Sequence, residues 1–504
     1  MLKNKKEFML IGFLLIIGAI LRYPALNPPA LWNDDAWVGL ISKAYDIKSF
    51  ILISSHSPIL FSLMQFFTSK IIFDKEISMQ ILPFIFSLIQ ITIFYLLTKE
   101  LTKSKSTAFL AAFLLTVSPS MIDYSVRAKQ FTFDSFAAVS VVYFYIKYIK
   151  NNYNIKRYIS FLLLSFLLFL GSYISAVISF ILIHIFIFNL IKINKNKMYL
   201  FATLIFDFLF FLYYLFFVKN HINAIMQDFW KDYYIDFNKG FTGSFFEITN
   251  KLATFIAQPF IKITAVSSSH LIFSACILVL IILGLKYLKN QYKDLFIFYI
   301  LFFISAFSLA VLHKYPIASA RSDIYSYTLI ITIVALGIYQ IKNFFIKSDK
   351  IWLILIISIC GGSLFFTNFS AYKTSVNTKI CFNKIDNEIQ PNDFLLIDAI
   401  GIYEYAYYTN KSISIKTDDS VTVGFLPVFE NNYDILPIRY TESSGYLYGN
   451  YDSLNKLHNY DKIFFYSSNF NSSVYNLVNE KILEQGFIKS YFESNNCILY
   501  IYQK

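Results

Sequence analysis

Apolar runs of helical length alternate with short lysine-rich breaks from the start of the chain as far as Phe369. A membrane crossing needs about 20 apolar residues. Runs of that character lie at Phe8 to Tyr23, Ile77 to Leu97, Ala108 to Val117, Phe131 to Ile149, Tyr158 to Leu170, Tyr173 to Ile191 and Tyr199 to Val218. After a polar interval come Leu271 to Leu285, Leu295 to Leu312, Ile324 to Ile341 and Ile351 to Phe369. Together they predict about eleven transmembrane helices.

One further run, SPILFSLMQFFTSKIIF (Ser57 to Phe73), is interrupted by Ser, Gln and Lys and is amphipathic. If it does not cross, the clusters Lys99/Lys103/Lys105, Lys147/Lys150/Lys156/Arg157, Lys192/Lys195/Lys197, Lys286/Lys289/Lys293 and Lys342/Lys347/Lys350 all share the side of the basic N-terminus. If it crosses, they all move outside. Lysine and arginine accumulate on the cytoplasmic side, so Ser57 to Phe73 is expected to be an interfacial or re-entrant helix. The chain from Pro24 to Glu76, the loop Ser118 to Gln130, the segment Lys219 to Ala265, the turn His313 to Asp323 and the C-terminal tail are then extracytoplasmic.

From about Tyr372 onward Asn, Asp and Ser replace the long apolar runs. NDFLLIDA and KIFFYSS read as short buried strands, VYNLVNEKILEQG as a helix closed by Gly486, and YFESNNCILYIYQ as a hairpin. The expected fold class is a polytopic α-helical membrane protein with a small C-terminal extracytoplasmic α/β domain, divided into 1–371 and 372–504. The expected location is the plasma (inner) membrane.

Composition narrows this further. A chain that is 56% hydrophobic, 19% aromatic and only 15% charged is not an ordinary soluble globule. The net charge of +12 sits in the breaks between apolar runs, so it reads as topology and not as a nucleic-acid face. Cys276 and Cys360 lie in apolar runs as small hydrophobes. Cys381 and Cys497 fall in the polar tail, where they are either bridged or free. The run ending in Arg22-Tyr23-Pro24 has no small-residue cleavage site and is read as a first span and anchor.

Chemistry concentrates in the expected external loops. Asp34 and Asp35 are bracketed by Trp32 and Trp37, two of only four tryptophans. The pair is either a solvated helix start or a partly dry pocket in which one carboxylate serves as a base. His56 opens HSPIL and is a helix-flanking residue, a phosphate contact or a metal ligand with a carboxylate. In SPSMIDYSVRAKQFTFD, Arg127 and Lys129 are cations on the side where cations are rare, and Asp134 lies about one turn into the next helix. These three form either an ion pair that eases insertion or a site suited to an anionic lipid headgroup. In HKYPIASARSD, Arg321 can clamp a phosphate bidentately or snorkel to the interface. Trp230, in MQDFWKDYYIDF, is an interfacial anchor or a pocket residue. Asp207 lies inside a span with no partner visible in the sequence.

In order and sidedness these elements resemble the GT-C class of membrane glycosyltransferases, in the branch related to protein O-mannosyltransferases and the aminoarabinose transferase of lipid A. The resemblance rests on Asp34-Asp35 as the acidic pair, on His56-Ser57-Pro58-Ile59-Leu60, on Ser118-Pro119 with Tyr124-Ser125 and Lys129-Gln130-Phe131, and on Tyr315-Pro316 with Arg321. Three departures stand out: Asp35 where Glu is usual, Val126-Arg127 where the family has Gln-Glu, and Ser57 in place of the first proline. The resemblance implies transfer of a sugar from a polyprenyl-phosphate donor to an acceptor hydroxyl on an envelope glycan, lipid or protein, by inverting displacement at the outer face. Asp34 is then the base and Asp35 its support. Lys129, Arg321, Arg127 and His56 hold the lipid phosphate, and Trp32, Trp37, Tyr124, Asp134 and Trp230 line the pocket. No cofactor is assigned, although Asp35 and His56 are candidates for a divalent metal.

A transporter or flippase of lipid-linked glycans is the competing class. It would place charge along a central path, whereas here the charges fall on one face. An O-antigen ligase or polymerase would carry a large late external loop in place of the tail domain.

Overall fold

The computed structural model describes residues 5–26, 28–54, 57–150, 154–192, 197–219, 229–238, 240–262, 268–345, 348, 351, 354, 377–398, 401–418, 424–430, 433–440, 447–448, 454–467, 472–493 and 497–504. His56 and nearly all of the expected span Ile351 to Phe369 lie outside these residues. The chain forms two compact units. The first comprises Met1–Leu26, Ser57–Met64 and Gln80–Tyr372, and the second comprises Asn27–His56, Gln65–Met79 and Lys373–Lys504.

The first unit is helical. Its elements are α1 (Lys5–Arg22), α6 (Lys105–Thr116), α7 (Pro119–Tyr124), α8 (Phe131–Phe144), α9 (Ile155–Gly171), α10 (Tyr173–Ile191), α11 (Lys197–Tyr213), α12 (Gly240–Ala257), α13 (Ser268–Gln291), α14 (Lys293–Val311) and α15 (Ile324–Phe345). The second unit begins with α2 (Asn33–Gly39) and α3 (Ile47–Ile53), while α4 (Ile59–Ile71) and α5 (Lys75–Thr102) have residues in both. Among the described residues, seven helices are long and apolar enough to cross a membrane, and α4 and α6 are shorter apolar helices. The polytopic helical class expected from the sequence is the one observed. The amphipathic α12, with Phe241, Phe245 and Phe246 exposed, lies in what the sequence presents only as a polar interval.

One observation bears on the ambiguous run. The Arg22 guanidinium donates from Nη1 to Gly18 O at 3.1 Å and to Thr116 O at 3.0 Å, so the C-termini of α1 and α6 lie at the same end of the bundle. Between those two points α5 and α6 cross and restore the side; a crossing by α4 would reverse it. The opposite end gathers the N-terminus of α1 with the C-terminus of α5 through Lys99 and Glu7. It also gathers Lys147 with Glu100 at 3.1 Å, and Asp294 with Tyr145 and Asn189, each at 3.1 Å. The basic clusters near these positions therefore share one end, as the charge pattern requires.

Asp207 acquires a partner that the sequence does not reveal: His184 Nε2, on the neighbouring α10, lies 3.4 Å from its carboxylate.

In the second unit a six-stranded sheet runs in the order β5-β4-β1-β6-β8-β7. Its strands are β1 (Phe394–Asp398), β4 (Asp434–Tyr440), β5 (Leu447–Tyr448), β6 (Lys462–Ser467), β7 (Ile488–Glu493) and β8 (Ile498–Gln503). The strands β4, β1 and β6 are parallel, and β8 and β7 close the edge as the expected antiparallel hairpin. A separate hairpin pairs β2 (Ile413–Thr417) with β3 (Phe425–Phe429). The helices are α16 (Lys379–Glu388), α17 (Gly401–Tyr408) and α18 (Ser472–Glu484). Gly486, at φ +86°, ends α18 in the left-handed conformation that glycine adopts at no steric cost. β1 is buried along its whole length, as expected for a central parallel strand. A disulfide joins Cys381 to Cys497 with Cα atoms 6.2 Å apart, tying α16 to the start of β8.

Candidate functional site

The acidic pair belongs to the second unit. Asp34 and Asp35 lie in the first turn of α2, where the positive end of the helix dipole favours carboxylates. Asp35 is only 3% exposed and Trp37 is buried, whereas Trp32 is 37% exposed. Burial of α2 follows from its fit against α17. Gly39 has the Tyr407 ring where a Cβ would stand, 2.8 Å from Cε2, so a larger residue would push the two helices apart. The Leu31 amide donates to Tyr408 Oη at 2.6 Å. Tyr408 Oη in turn donates to Glu76 Oε1 at 2.8 Å, and Lys379 pairs with the same Glu76 at 2.5 Å. Lys43 donates to the carbonyls of Ala406 and Thr409 at 2.6 and 2.7 Å, which caps the negative end of α17. Desolvation, with the nearby Lys75 acting in the same direction, lowers the Lys43 ammonium to about 8. The tail domain thus grips the acidic helix and its flanks through α17, a role the sequence conceals because Tyr407 and Tyr408 look like two more tyrosines in a tyrosine-rich chain.

The cations belong to the first unit. Arg321 sits in the turn between α14 and α15, and its guanidinium stacks on Trp230 and Phe229, 4.5 and 5.3 Å from the ring centroids. Two separately predicted positions, Trp230 and Arg321, therefore meet. Around Trp230 the described residues include a helical position at Phe229 and a 3-10 turn at Lys231–Tyr233. Beyond that turn the chain lies along the Arg321 loop: the Ile317 amide donates to Tyr233 O at 3.1 Å, and Tyr234 stacks on His313 at 4.9 Å.

The Arg321 turn is strained. His313, Ala318 and Ala320 have φ of 53°, 60° and 60°, a conformation costing roughly 1–2 kcal/mol for each non-glycine residue. Such geometry persists only where its surroundings over-determine it, and here they do. Gln258 Nε2 donates to Ala318 O at 3.3 Å; Tyr327 Oη lies 3.0 Å from Ala320 O and 3.1 Å from Gln258 Oε1; Tyr315 Oη donates to Ser322 O at 3.0 Å. The Ser319 amide donates to Asp323 Oδ2 at 3.0 Å, and Oδ1 of Asp323, a residue 1% exposed, has no partner among the described residues. Burial raises this carboxyl to about 7.

The same network reaches the loop of the other cations. Ser120 Oγ donates to Gln258 O at 3.2 Å and Ser118 Oγ to Pro259 O at 2.5 Å, while Lys262 pairs with Asp123 at 3.3 Å. Past α7 the chain turns through Arg127 and Lys129, both half-buried, into α8. Tyr124 packs edge-on against Phe131 at 5.4 Å and its carbonyl accepts from Thr132 Oγ1 at 2.8 Å. Asp134 is half-buried, hydrogen-bonds with Ser172 and lies within electrostatic range of Tyr173, Tyr315 and Tyr325. Ser57, which follows His56, is held from α10, where Tyr173 Oη donates to Ser57 O at 3.1 Å.

Among the described residues no three His, Cys, Asp or Glu side chains converge in a way that could hold a metal ion. Asp35 alone of the two metal candidates can be assessed there, and by itself it does not make a metal site.

A protein-family model described as dolichyl-phosphate-mannose-protein mannosyltransferase matches residues 55–219, about a third of the chain. No curated protein matches the sequence. In fold the chain is similar to the archaeal oligosaccharyltransferase AglB of Archaeoglobus fulgidus solved with an inhibitory peptide and a dolichol-phosphate, at a TM-score of 0.52 and 12% identity, covering 92% of this chain and 70% of that one. The oligosaccharyltransferase of the same organism solved with Zn and sulfate gives 0.51 and 12%, over 91% and 68%. ArnT from Cupriavidus metallidurans in the apo state gives 0.47 and 10%, over 98% and 97%. The fold is that of GT-C membrane glycosyltransferases.

Proposed function

We propose that the chain is an integral-membrane glycosyltransferase that moves a sugar from a polyprenyl-phosphate donor to a hydroxyl of a cell-envelope glycan, lipid or protein on the outer face of the plasma membrane. The observation that carries this reading is the hydrogen-bond lattice through Gln258, which joins the Arg321 turn to the loop leading to Arg127 and Lys129. The chain segments that carry these cations are tied together at Gln258, which supports a phosphate clamp built from both. The family match, which includes the Arg127–Lys129 loop, and the fold likeness point in the same direction.

In this reading Asp34 accepts the proton of the acceptor hydroxyl as its oxygen attacks the anomeric carbon. The bond from that carbon to the donor phosphate breaks, its electron pair leaves with the phosphate, and the configuration inverts. General bases of this kind contribute about 10²–10⁴-fold. Arg321, with its planar fork, and Lys129, aided by Arg127, neutralise the charge that develops on the leaving phosphate. Trp230 stacks on Arg321 and holds the fork in one plane. Asp35, buried behind Asp34, keeps α2 in register, and Asp134 with its ring of tyrosines lines the sugar pocket. His56 is a further phosphate contact. The reading routes no step through a metal ion.

The test is transfer of radiolabelled sugar from a polyprenyl-phosphate donor to membrane acceptors by the reconstituted protein. Wild type is expected to transfer, and Arg321→Gln to lose at least tenfold in kcat/KM. Translocation of the lipid-linked sugar with no transfer by any preparation would replace this reading with a flippase.

A further inference from the structure

Arg22 ends α1 and is 0% exposed, the largest fully buried side chain in the molecule's described residues. No carboxylate pairs with it there. Its charge is met instead by backbone: Nη1 donates both to Gly18 O, in the last turn of α1, and to Thr116 O, the last residue of α6. Two helix C-termini, each carrying a fraction of a negative charge, converge on one nitrogen. Gly18 packs closely against α5, where a Cβ would lie 2.9 Å from Ile91 and 3.3 Å from Leu88.

The other edge of the guanidinium is different. Nε and Nη2 are buried and, among the described residues, neither has an acceptor. These two N–H groups are parallel and form the fork that binds carboxylate or phosphate bidentately. A buried donor without a partner costs roughly 1–3 kcal/mol, and more when it is charged. A helix cap alone would not require arginine, because a lysine can reach the same two carbonyls. The next residue, Tyr23, is 69% exposed.

We propose that Arg22 is an oxyanion-binding residue whose Nε/Nη2 edge takes a phosphate ester. That the ester is the donor's polyprenyl phosphate rests on the glycosyltransferase reading; the anion site itself does not. Arg22 then contributes a cation from α1 at the bundle end where α6 gives way to the Arg127–Lys129 loop, and its Nη1 bonds hold the root of that loop while the fork engages the ligand.

The experiment measures binding of undecaprenyl phosphate to the full chain in neutral nanodiscs, for wild type, Arg22→Lys and Arg22→Gln, with thermal unfolding of each. Arg22→Lys keeps the charge and the two carbonyl bonds but lacks the fork. It is expected to unfold within a few degrees of wild type and to bind at least tenfold more weakly; Arg22→Gln is expected to bind more weakly still. Inorganic phosphate competing with the same dependence on Arg22 supports a site for phosphate as such. Competition by phosphatidylglycerol supports a lipid headgroup as its source. Equal binding by wild type and Arg22→Lys overturns the inference and leaves the glycosyltransferase reading standing. Absence of binding by wild type sinks both. If neither variant folds, ³¹P–¹⁵N coupling between the lipid and labelled arginine decides, in a chain whose Arg127 and Arg321 are lysine: coupling supports the site and its absence overturns it.

Discussion

The acidic helix and the cationic turn are held by opposite kinds of chemistry. α2 adopts relaxed helical geometry and is fixed from outside, by a glycine contact with Tyr407, a tyrosine hydroxyl on Leu31 N and a lysine on carbonyl groups. The Arg321 turn is fixed from within, by three left-handed residues, a buried carboxyl and a glutamine that reads its backbone. A base that takes a proton benefits from a packed, partly dry bed that does not shift its position. A clamp on a leaving group benefits from donors whose direction is set before charge develops. On the proposed reading the two sites fail differently: damage around α2 should slow chemistry, whereas damage around the turn should first weaken donor binding.

The largest effects should separate the two sides most clearly. Asp34→Asn is expected to lower kcat by about 10²–10⁴-fold with donor KM nearly unchanged, measured by steady-state transfer. A rise in KM at constant kcat would move Asp34 to the binding side. Arg321→Lys, which keeps the charge and loses the fork, is expected to cost about 1–2 kcal/mol, roughly 5–30-fold in kcat/KM. Most of that loss should appear in donor KM. Smaller is the loss on Tyr327→Phe, which removes one hydroxyl from both Ala320 O and Gln258. About 1 kcal/mol corresponds to a fewfold rise in donor KM, and an unchanged KM would show that the lattice does not orient Arg321.

The smallest effect concerns pH, and it sharpens the comparison because α17 and the turn each bury a carboxyl. Glu404, in α17, is raised to about 8 by burial, with Tyr466 Oη donating to it at 2.7 Å; Asp323 is raised to about 7 by the same cause. In both cases the neutral form is favoured on folding, so the stability it contributes is complete below the ordinary carboxyl range and is lost as pH rises through the folded value. Thermal stability should therefore fall between about pH 4 and 8. Asp323→Asn should flatten the part that ends near 7, and Glu404→Gln the part that ends near 8. An unchanged profile in either variant would remove that carboxyl from the pH dependence.

Much of this was legible in the sequence, for identifiable reasons. Apolar length fixed α10 to its end residues, Tyr173–Ile191, because nothing competes with hydrophobicity over 19 residues. Charge asymmetry identified α4 as non-crossing, and the Arg22 bridge between Gly18 and Thr116 agrees. Gly486 marked the end of α18 by its conformation. Local pattern could not show pairings distant in sequence: Trp230 with Arg321, Asp207 with His184, or Leu31 with Tyr408 across 377 positions. The amphipathic α12 was hidden because its apolar face is a stripe of phenylalanines in a chain rich in phenylalanine. Arg22 looked like the polar end of an anchor, and only its buried, unfilled fork distinguishes it.

The division of labour between base and clamp is tested most directly by single-turnover transfer. Asp34→Asn protein, saturated with labelled polyprenyl-phosphate sugar, is mixed with acceptor, and bound donor and product are followed together. Donor bound at wild-type level, with transfer slowed by at least a hundredfold, is the predicted result. Transfer at the wild-type rate, or loss of donor binding in that variant, would contradict it.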